Sequence, residues 1–247
     1  MTTLPGRVRS LLPDSVFYRA VAATYRLRSE RRLLFLDELV PSGCTAVDAG
    51  AWWGPWTYWL SRRAASVWSF EPNPKLAGFL TRVVSPNVHV ENVALSDRNG
   101  TATLFAPRQV GRDALATLSA EQLGNDARRI EVSLRRLDEY RLERVEFIKI
   151  DVEGHEFEVL KGAEETLARC TPTLLIEIDQ ALHDYPIRRI FDWLLARGYE
   201  GRVRRRRSWA PLSTFDVHQD QLAPRNAKAP GYITDFVFTP VGTRAHV

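Results

Sequence analysis

Cysteine is almost absent from this 247-residue chain, with Cys44 and Cys170 its two representatives. Two thiols cannot frame a disulfide-stapled fold, and these two form no spaced metal-binding motif. They read as buried free thiols, which fits a cytoplasmic location. Long apolar runs are missing as well. No stretch approaches the ~20 residues that span a bilayer, and residues 1–7 lack the charged, apolar and small-residue order of a secretory leader. Lysine is scarce beside arginine, although Lys+Arg total 34 against 30 Asp+Glu, for a net charge of +4. There is no internal repeat and no low-complexity tract. What remains is ordinary: 45% hydrophobic and 26% charged residues, enough for one α/β domain with a sizeable core.

Short apolar strands alternate with amphipathic helices, the pattern of a mainly parallel sheet covered on both faces. Residues 16–40 carry apolar positions at helical spacing, so 1–43 read as an N-terminal helical arm or lid, ended by Pro41-Ser-Gly43. Residues 44–247 form the main domain. Its principal strands are expected at 44–48, 66–70, 88–93, 147–151 and 173–178, with helices over 54–63, 75–84, 156–168 and 187–197. Pro74 suits the first turn of its helix, and Gly198 suits a helix stop. Asn99-Gly100 turns the chain into an inserted antiparallel strand at 101–105, with a further short strand at 130–134. Residues 107–129 form a polar loop expected to move over the site. Strands at 201–208 and 232–239 flank a last polar loop.

Ionisable groups are densest in Phe147-Ile-Lys-Ile-Asp-Val-Glu-Gly-His-Glu156, where an apolar run ends in Asp151, Glu153, His155 and Glu156. Carboxyl ends of strands line the ligand crevice of an open α/β sheet. Such a cluster is costly to desolvate without partners. The plainer alternative is a solvated strand end with Asp151 or Glu153 capping the next helix. Upstream, Val47-Asp-Ala-Gly-Ala-Trp-Trp-Gly54 joins the first strand to its helix. Gly50 permits a sharp turn and a close ligand approach, and the helix starting near Gly54 presents unpaired N–H groups. Asp48 ends the strand, placed to bind the turn or a cationic group.

A dinucleotide fingerprint wants glycine where Trp52 stands, so a cofactor without phosphates fits better than a pyrophosphate. Glu71, after the second strand, is placed to accept from two ribose hydroxyls, with a surface acid as the alternative. Asn92 and Ala94, in Asn92-Val-Ala-Leu95, are placed to border an adenine.

This order of features resembles the FkbM family of S-adenosylmethionine-dependent methyltransferases. The matching pieces are Val47-Asp-Ala-Gly-Ala, Phe70-Glu-Pro-Asn73, Asn92-Val-Ala-Leu-Ser96, Asn99-Gly-Thr-Ala-Thr-Leu104 and Ile148-Lys-Ile-Asp-Val-Glu-Gly-His-Glu156. Leu160-Lys-Gly-Ala163 and Leu175-Ile-Glu177 extend the resemblance, which covers roughly residues 44–240. It implies a class I methyltransferase fold: a Rossmann-like three-layer α/β sandwich on a mainly parallel seven-stranded sheet with an antiparallel last strand. It also implies S-adenosylmethionine as cofactor, contacted by Asp48, Gly50, Trp52, Glu71, Asn92, Ala94 and Asp151. The family often carries asparagine where Trp52 stands, so the tryptophans here are candidates to wall the cofactor or acceptor pocket.

Members of the family mostly methylate hydroxyl oxygens, which implies a sugar, an oligosaccharide or a glycosylated natural product as acceptor. A sugar hydroxyl is a poor nucleophile, so a base or a cation must assist. The expected catalytic residues are His155 as base, Asp151 and Glu153; a histidine merely packed at a helix start is the alternative for the first. Asp151 with Glu177 would also suit Mg²⁺. Trp52, Trp53, Trp56 and Trp209 either stack on sugar faces or pack.

Arg202, Arg204, Arg205, Arg206 and Arg207, beside Trp209, would meet phosphates, an acidic substrate or an anionic membrane surface, or else form a solvated hairpin. Charge alone does not support nucleic-acid binding. An RNA methyltransferase is the enzymatic alternative, weakened because Asp151-Val-Glu-Gly154 replaces the Asn/Asp-Pro-Pro-aromatic motif of amino-methylating enzymes. A non-catalytic cofactor-binding scaffold is the other alternative, and a nicotinamide oxidoreductase is disfavoured by Trp52. The helical arm is expected to support a homodimer.

Overall fold

The computed structural model describes residues 12–29, 31–107, 116–119, 127–205, 208–223 and 231–242. The first strands are β1 (Thr45–Ala49), β2 (Ser66–Phe70), β3 (Val88–Glu91), β4 (Ala94–Leu95), β5 (Gly100–Pro107) and β6 (Ala127–Arg135). They are followed by β7 (Phe147–Ile150), β8 (Thr173–Glu177), β9 (Tyr199–Arg205), β10 (Ser208–Pro211) and β11 (Asp235–Pro240). The helices are α1 (Asp14–Thr24), α2 (Leu36–Leu39), α3 (Pro55–Leu60), α4 (Pro74–Val83), α5 (Glu156–Lys161), α6 (Glu164–Cys170) and α7 (Arg188–Leu195).

The main sheet has the order β10-β9-β11-β8-β7-β1-β2-β3. From β3 to β8 its strands are parallel neighbours, and β11 is antiparallel to both β8 and β9. That is the expected class I methyltransferase arrangement with one strand more. The chain turns back after Arg205, so the single strand expected at 201–208 is a β9–β10 hairpin. Helices cover both faces of the parallel strands, and all four residues of β7 are buried, as continuous apolar strands require. The inserted strand β5 pairs antiparallel with β6 and, with β4, makes a separate three-stranded sheet.

Two helical expectations change. The helix expected over 156–168 is broken into α5 and α6 at Gly162, which packs closely on the chain: a β-carbon there would stand 1.8 Å from the carbonyl oxygen of Ser96. Buried Asp138 then caps the restart, accepting from the N–H groups of Glu165 (3.2 Å) and Thr166 (2.9 Å).

The arm is also discontinuous, passing from α1 through a π-helical turn (Tyr25–Ser29) and a 3₁₀ turn (Arg31–Phe35) into α2. Its apolar face is covered by the chain's own domain: Phe17 meets Trp53 at 5.3 Å and Tyr18 meets Tyr58 at 5.3 Å between ring centres. Cys44 is buried, but Cys170 is only half-buried, against the expectation for both. No helix among the described residues is long and apolar enough to cross a membrane.

Candidate active site

The carboxyl ends of the parallel strands open onto a crevice of about 1210 Å³. Gly50, at the end of β1, lies against the next strand. Its φ is +81°, and a β-carbon would stand 1.9 Å from the carbonyl oxygen of Asp151. No other residue type fits this turn, whose Gly50 and Ala51 N–H groups both donate to the Phe70 carbonyl at 3.0 Å.

Trp52 follows with φ +51°, the left-handed region that asparagine tolerates and bulky residues avoid. Its ring lies 5.1 Å from that of Tyr25, on the arm, and both residues line the crevice. The buried Trp52 Nε1 has no hydrogen-bond partner among the described residues. Trp53 is consumed by packing against Phe79 and Phe17, whereas Trp56 lines the crevice while stacking on Phe147.

Glu71, at the end of β2, is buried on the crevice wall. Oε2 accepts from the Trp52 N–H at 2.6 Å and Oε1 from the Asn73 N–H at 2.9 Å, so this carboxylate holds the whole turn. Burial pushes its carboxyl up to about 7 despite those two donors. Asn92 does not line the crevice: its Nδ2 donates to the carbonyls of Glu71 and Pro72, each at 2.9 Å, and ties the turn from behind. Ala94, beside it, does line the crevice.

Asp48 is fully buried beneath the crevice floor. Its Oδ2 accepts from the Thr57 hydroxyl at 2.6 Å, and its Oδ1 stands 3.5 Å from Lys149 Nζ. Lys149 is the residue that sequence reasoning left without a role. Its ammonium donates to the Gly50 carbonyl at 3.2 Å and stands 3.4 Å from the Asp151 carboxylate, joining both halves of the site. A lysine inside an otherwise apolar buried strand was the available signal, since such a charge needs a partner. Asp151 reaches the crevice with its side chain one-quarter exposed.

Glu153 also lines the crevice, in a turn with φ +52°. Burial, then the charges of Asp151, Glu177, Glu156 and Asp179, hold its carboxyl well above the usual range. Below the turn, Glu156 Oε1 accepts from the Gly154 N–H at 2.9 Å. Its Oε2 stands 2.9 Å from His183 Nε2, both atoms buried and out of line for a hydrogen bond.

His155 lines the crevice, but its nitrogens are turned to the protein: Nε2 lies 3.0 Å from Ser96 Oγ and Nδ1 3.7 Å from Glu158 Oε2. Burial lowers its pKa despite the neighbouring carboxylates, keeping the ring neutral. Glu177 lines the crevice and accepts from the Thr234 hydroxyl at 3.2 Å. Together with Asp151 it gathers no third ligand: among the described residues no three His, Cys, Asp or Glu groups are placed to hold a metal ion.

Two further regions converge here. From the loop expected over the site, Ala116 and Leu118 line the crevice and Thr117 donates its hydroxyl to the Glu153 carbonyl at 2.9 Å; most of the remaining loop lies outside the described residues. Arg204 and Arg205 of the basic cluster also line the crevice, whereas Arg206 and Arg207 lie outside the described residues.

Residues 44–200 match the family model for the methyltransferase FkbM domain. The chain is 29% identical to methyltransferase sdnD of Sordaria araneosa, over 70% of this chain and 79% of that protein. It is 31% identical to the 2-O-methyltransferase NoeI of Sinorhizobium fredii, over 58% of this chain and 70% of that protein. Its fold resembles the crystal structure of methyltransferase FkbM from Methylobacillus flagellatus with a TM-score of 0.51 at 16% identity. That likeness takes in 92% of this chain but 55% of the other, so the chain spans little more than half its length. Topology, glycine turn and strand-end acids agree with the family match: the chain belongs to the FkbM methyltransferase family.

Proposed function

We propose that the chain transfers a methyl group from S-adenosylmethionine to a hydroxyl oxygen of a sugar, oligosaccharide or related small-molecule acceptor. Family membership supports methyl transfer, and the name of the NoeI relative supports oxygen as the atom modified. The observation that carries the reading is one crevice lined both by the Gly50 turn with Glu71 and by the acids Asp151, Glu153 and Glu177.

The residues present fit the cofactor. Gly50 and Ala51 line the crevice at the turn, the Glu71 carboxylate can accept from a ribose diol, and Ala94 and Leu95 offer an apolar border for adenine. The orphaned indole N–H of Trp52 fits a ligand carrying acceptor oxygens. The acid group favours a cationic ligand in a partly desolvated place. S-adenosylmethionine supplies an activated methyl group together with its own leaving group.

The protein's remaining tasks are alignment and one proton. Asp151 is the proton acceptor in this reading, because its carboxylate reaches the crevice while both His155 nitrogens face Ser96 and Glu158. His155 then fixes the strand-end turn. Glu153 lines the same part of the crevice. Lys149 already places a positive charge beside Asp151, so this chemistry calls for no Mg²⁺ bridging Asp151 and Glu177.

Calorimetry with S-adenosylhomocysteine tests the cofactor, and absence of binding by folded protein sinks the assignment. Transfer of labelled methyl groups to a panel of sugars and oligosaccharides tests the acceptor. Activity is expected to survive a chelator.

A further inference from the structure

The end of β8 carries a buried polar clamp to which methyl transfer assigns no task. Buried Gln221 donates from Nε2 to the carbonyls of Ile178 at 2.8 Å and Ile233 at 2.7 Å, and its Oε1 accepts from the Gln180 N–H at 2.8 Å. The Ile178 N–H donates to the Thr234 carbonyl at 2.9 Å. These bonds hold two short segments side by side, 178–180 after β8 and 232–234 before β11. Asp179 lies in the first and Tyr232 in the second. The Tyr232 hydroxyl donates to Asp179 Oδ2 at 2.6 Å, within the short range of a charge-assisted bond. Asp179 Oδ1 accepts from the Ala181 N–H at 3.0 Å, at the head of a 3₁₀ turn (Gln180–Leu182). Gln221 and the backbone already join the two segments, so the phenol is not what joins them. Its effect is instead on its own oxygen. Tyr232 lines the crevice, and a hydroxyl has one proton to give and two lone pairs to offer. With the proton placed on Asp179, the oxygen is left to accept. Burial, then the bond to Asp179 and the charges of Asp179 and Glu177, raise the pKa of the phenol, so Tyr232 keeps its proton and is no base.

We propose that Tyr232 accepts a hydrogen bond from a second hydroxyl of the methyl acceptor, so that the preferred acceptor is a polyol and not a lone alcohol or phenol. This rests on the reading of the crevice as a methyl-acceptor site in which Asp151 takes the proton. Strands β7 and β8 are neighbours, with Ile150 level with Ile176, and continuing that register sets Asp151 level with Glu177. Asp179 follows two residues later, which places its backbone on the order of 5–10 Å from that of Asp151. Hydroxyls on one sugar residue, or on two linked ones, span such a distance. The direction of the Tyr232 bond gives the proposal its chemical content. A ligand hydroxyl can donate to the phenol oxygen, whereas an ether oxygen or a fluorine cannot, and the phenol has no second proton to offer them.

The test titrates the full chain, with and without saturating S-adenosylhomocysteine, with the methyl pyranosides of glucose, galactose, mannose and fucose. Tryptophan fluorescence follows binding, because Trp52 and Trp56 line the crevice. Saturable binding of at least one pyranoside is expected, weakened about fivefold in Tyr232→Phe. Deoxyfluoro analogues of that pyranoside, substituted one carbon at a time, keep the size of the hydroxyl but cannot donate. At one position the analogue is expected to bind the parent chain about fivefold more weakly and to lose nothing further in Tyr232→Phe. Asp179→Asn keeps the phenol but frees its proton, and is expected to shrink the penalty at that same position. The analogue series on the parent chain decides the matter by itself if a variant fails to fold. No saturable binding of any pyranoside, or equal penalties at every position in parent and Tyr232→Phe, overturns the proposal. S-adenosylhomocysteine affinity, measured by calorimetry on the same samples, is expected to be unchanged in Tyr232→Phe. Its absence in the parent chain would sink the methyl-transfer reading, while Tyr232-dependent pyranoside binding is scored independently.

Discussion

The carbonyl oxygen of Asp151 occupies the space that a β-carbon on Gly50 would need, 1.9 Å away. The ends of β1 and β7 are thereby brought together at the floor of the crevice. The turn that fits a cofactor and the acid assigned to the proton are thus one backbone contact apart. Neither can shift without the other.

Gly50→Ala therefore combines a left-handed backbone with a collision against a carbonyl. The strain of the conformation costs about 1–2 kcal/mol by itself, and the collision adds to it by forcing the two strand ends apart. The expected outcome is a lowered urea midpoint and loss of S-adenosylhomocysteine binding, even at temperatures where the variant remains folded. Parent-like affinity would show that the turn does not touch the cofactor.

Lys149 supplies the positive charge facing fully buried Asp48. Lys149→Met leaves that carboxylate in the core without this countercharge, which is expected to cost about 3–5 kcal/mol. Adding Asp48→Asn should recover a large part of the loss, because the pair is removed together. Chemical denaturation of both singles and the double closes the cycle. Simple additivity would rule out the coupling.

Glu71 makes cofactor affinity depend on pH. Its carboxyl is pushed up to about 7 by burial, so the folded free protein holds this proton more tightly than the unfolded chain does. The contribution of Glu71 to stability is accordingly present below the ordinary carboxylate range and is lost as pH rises through about 7. Glu153 is shifted in the same direction. A ribose diol donates to the ionised carboxylate, so S-adenosylhomocysteine affinity should rise with pH toward a plateau above about 7, by up to about tenfold per unit below it. Calorimetry in buffers of different ionisation enthalpy should show proton release on binding. In Glu71→Gln the slope should vanish.

Asp151→Asn and His155→Asn separate the two candidate proton acceptors. The first is expected to lower kcat by ~100-fold or more with cofactor affinity largely kept. The second should lower kcat by less than about tenfold, chiefly through the turn that His155 anchors on Ser96. Initial rates across pH with a saturated donor decide it. The opposite ranking would return the role of base to His155.

Much of this was legible without coordinates. The apolar run of β7 ending in acids, the glycine after β1 and the glutamate after β2 follow from periodicity and from what each residue type permits its backbone. Residues 156–168 show where such reasoning stops. Their helical pattern is continuous, yet the helix breaks at Gly162, where a loop residue, Ser96, passes close to the backbone. Local propensity carries no record of that approach.

By itself, the sequence determined the alternation of strands and helices, the turn that only Gly50 can make, and the concentration of ionisable groups after Ile150. Tertiary structure alone decided their partners. It placed Lys149 between Asp48 and Asp151 and turned His155 toward Ser96. The physical reason is that a titratable group's role is set by which charges and donors surround it and by how much water is excluded. Those neighbours arrive from strands and loops far apart in the chain, through packing that no local pattern encodes.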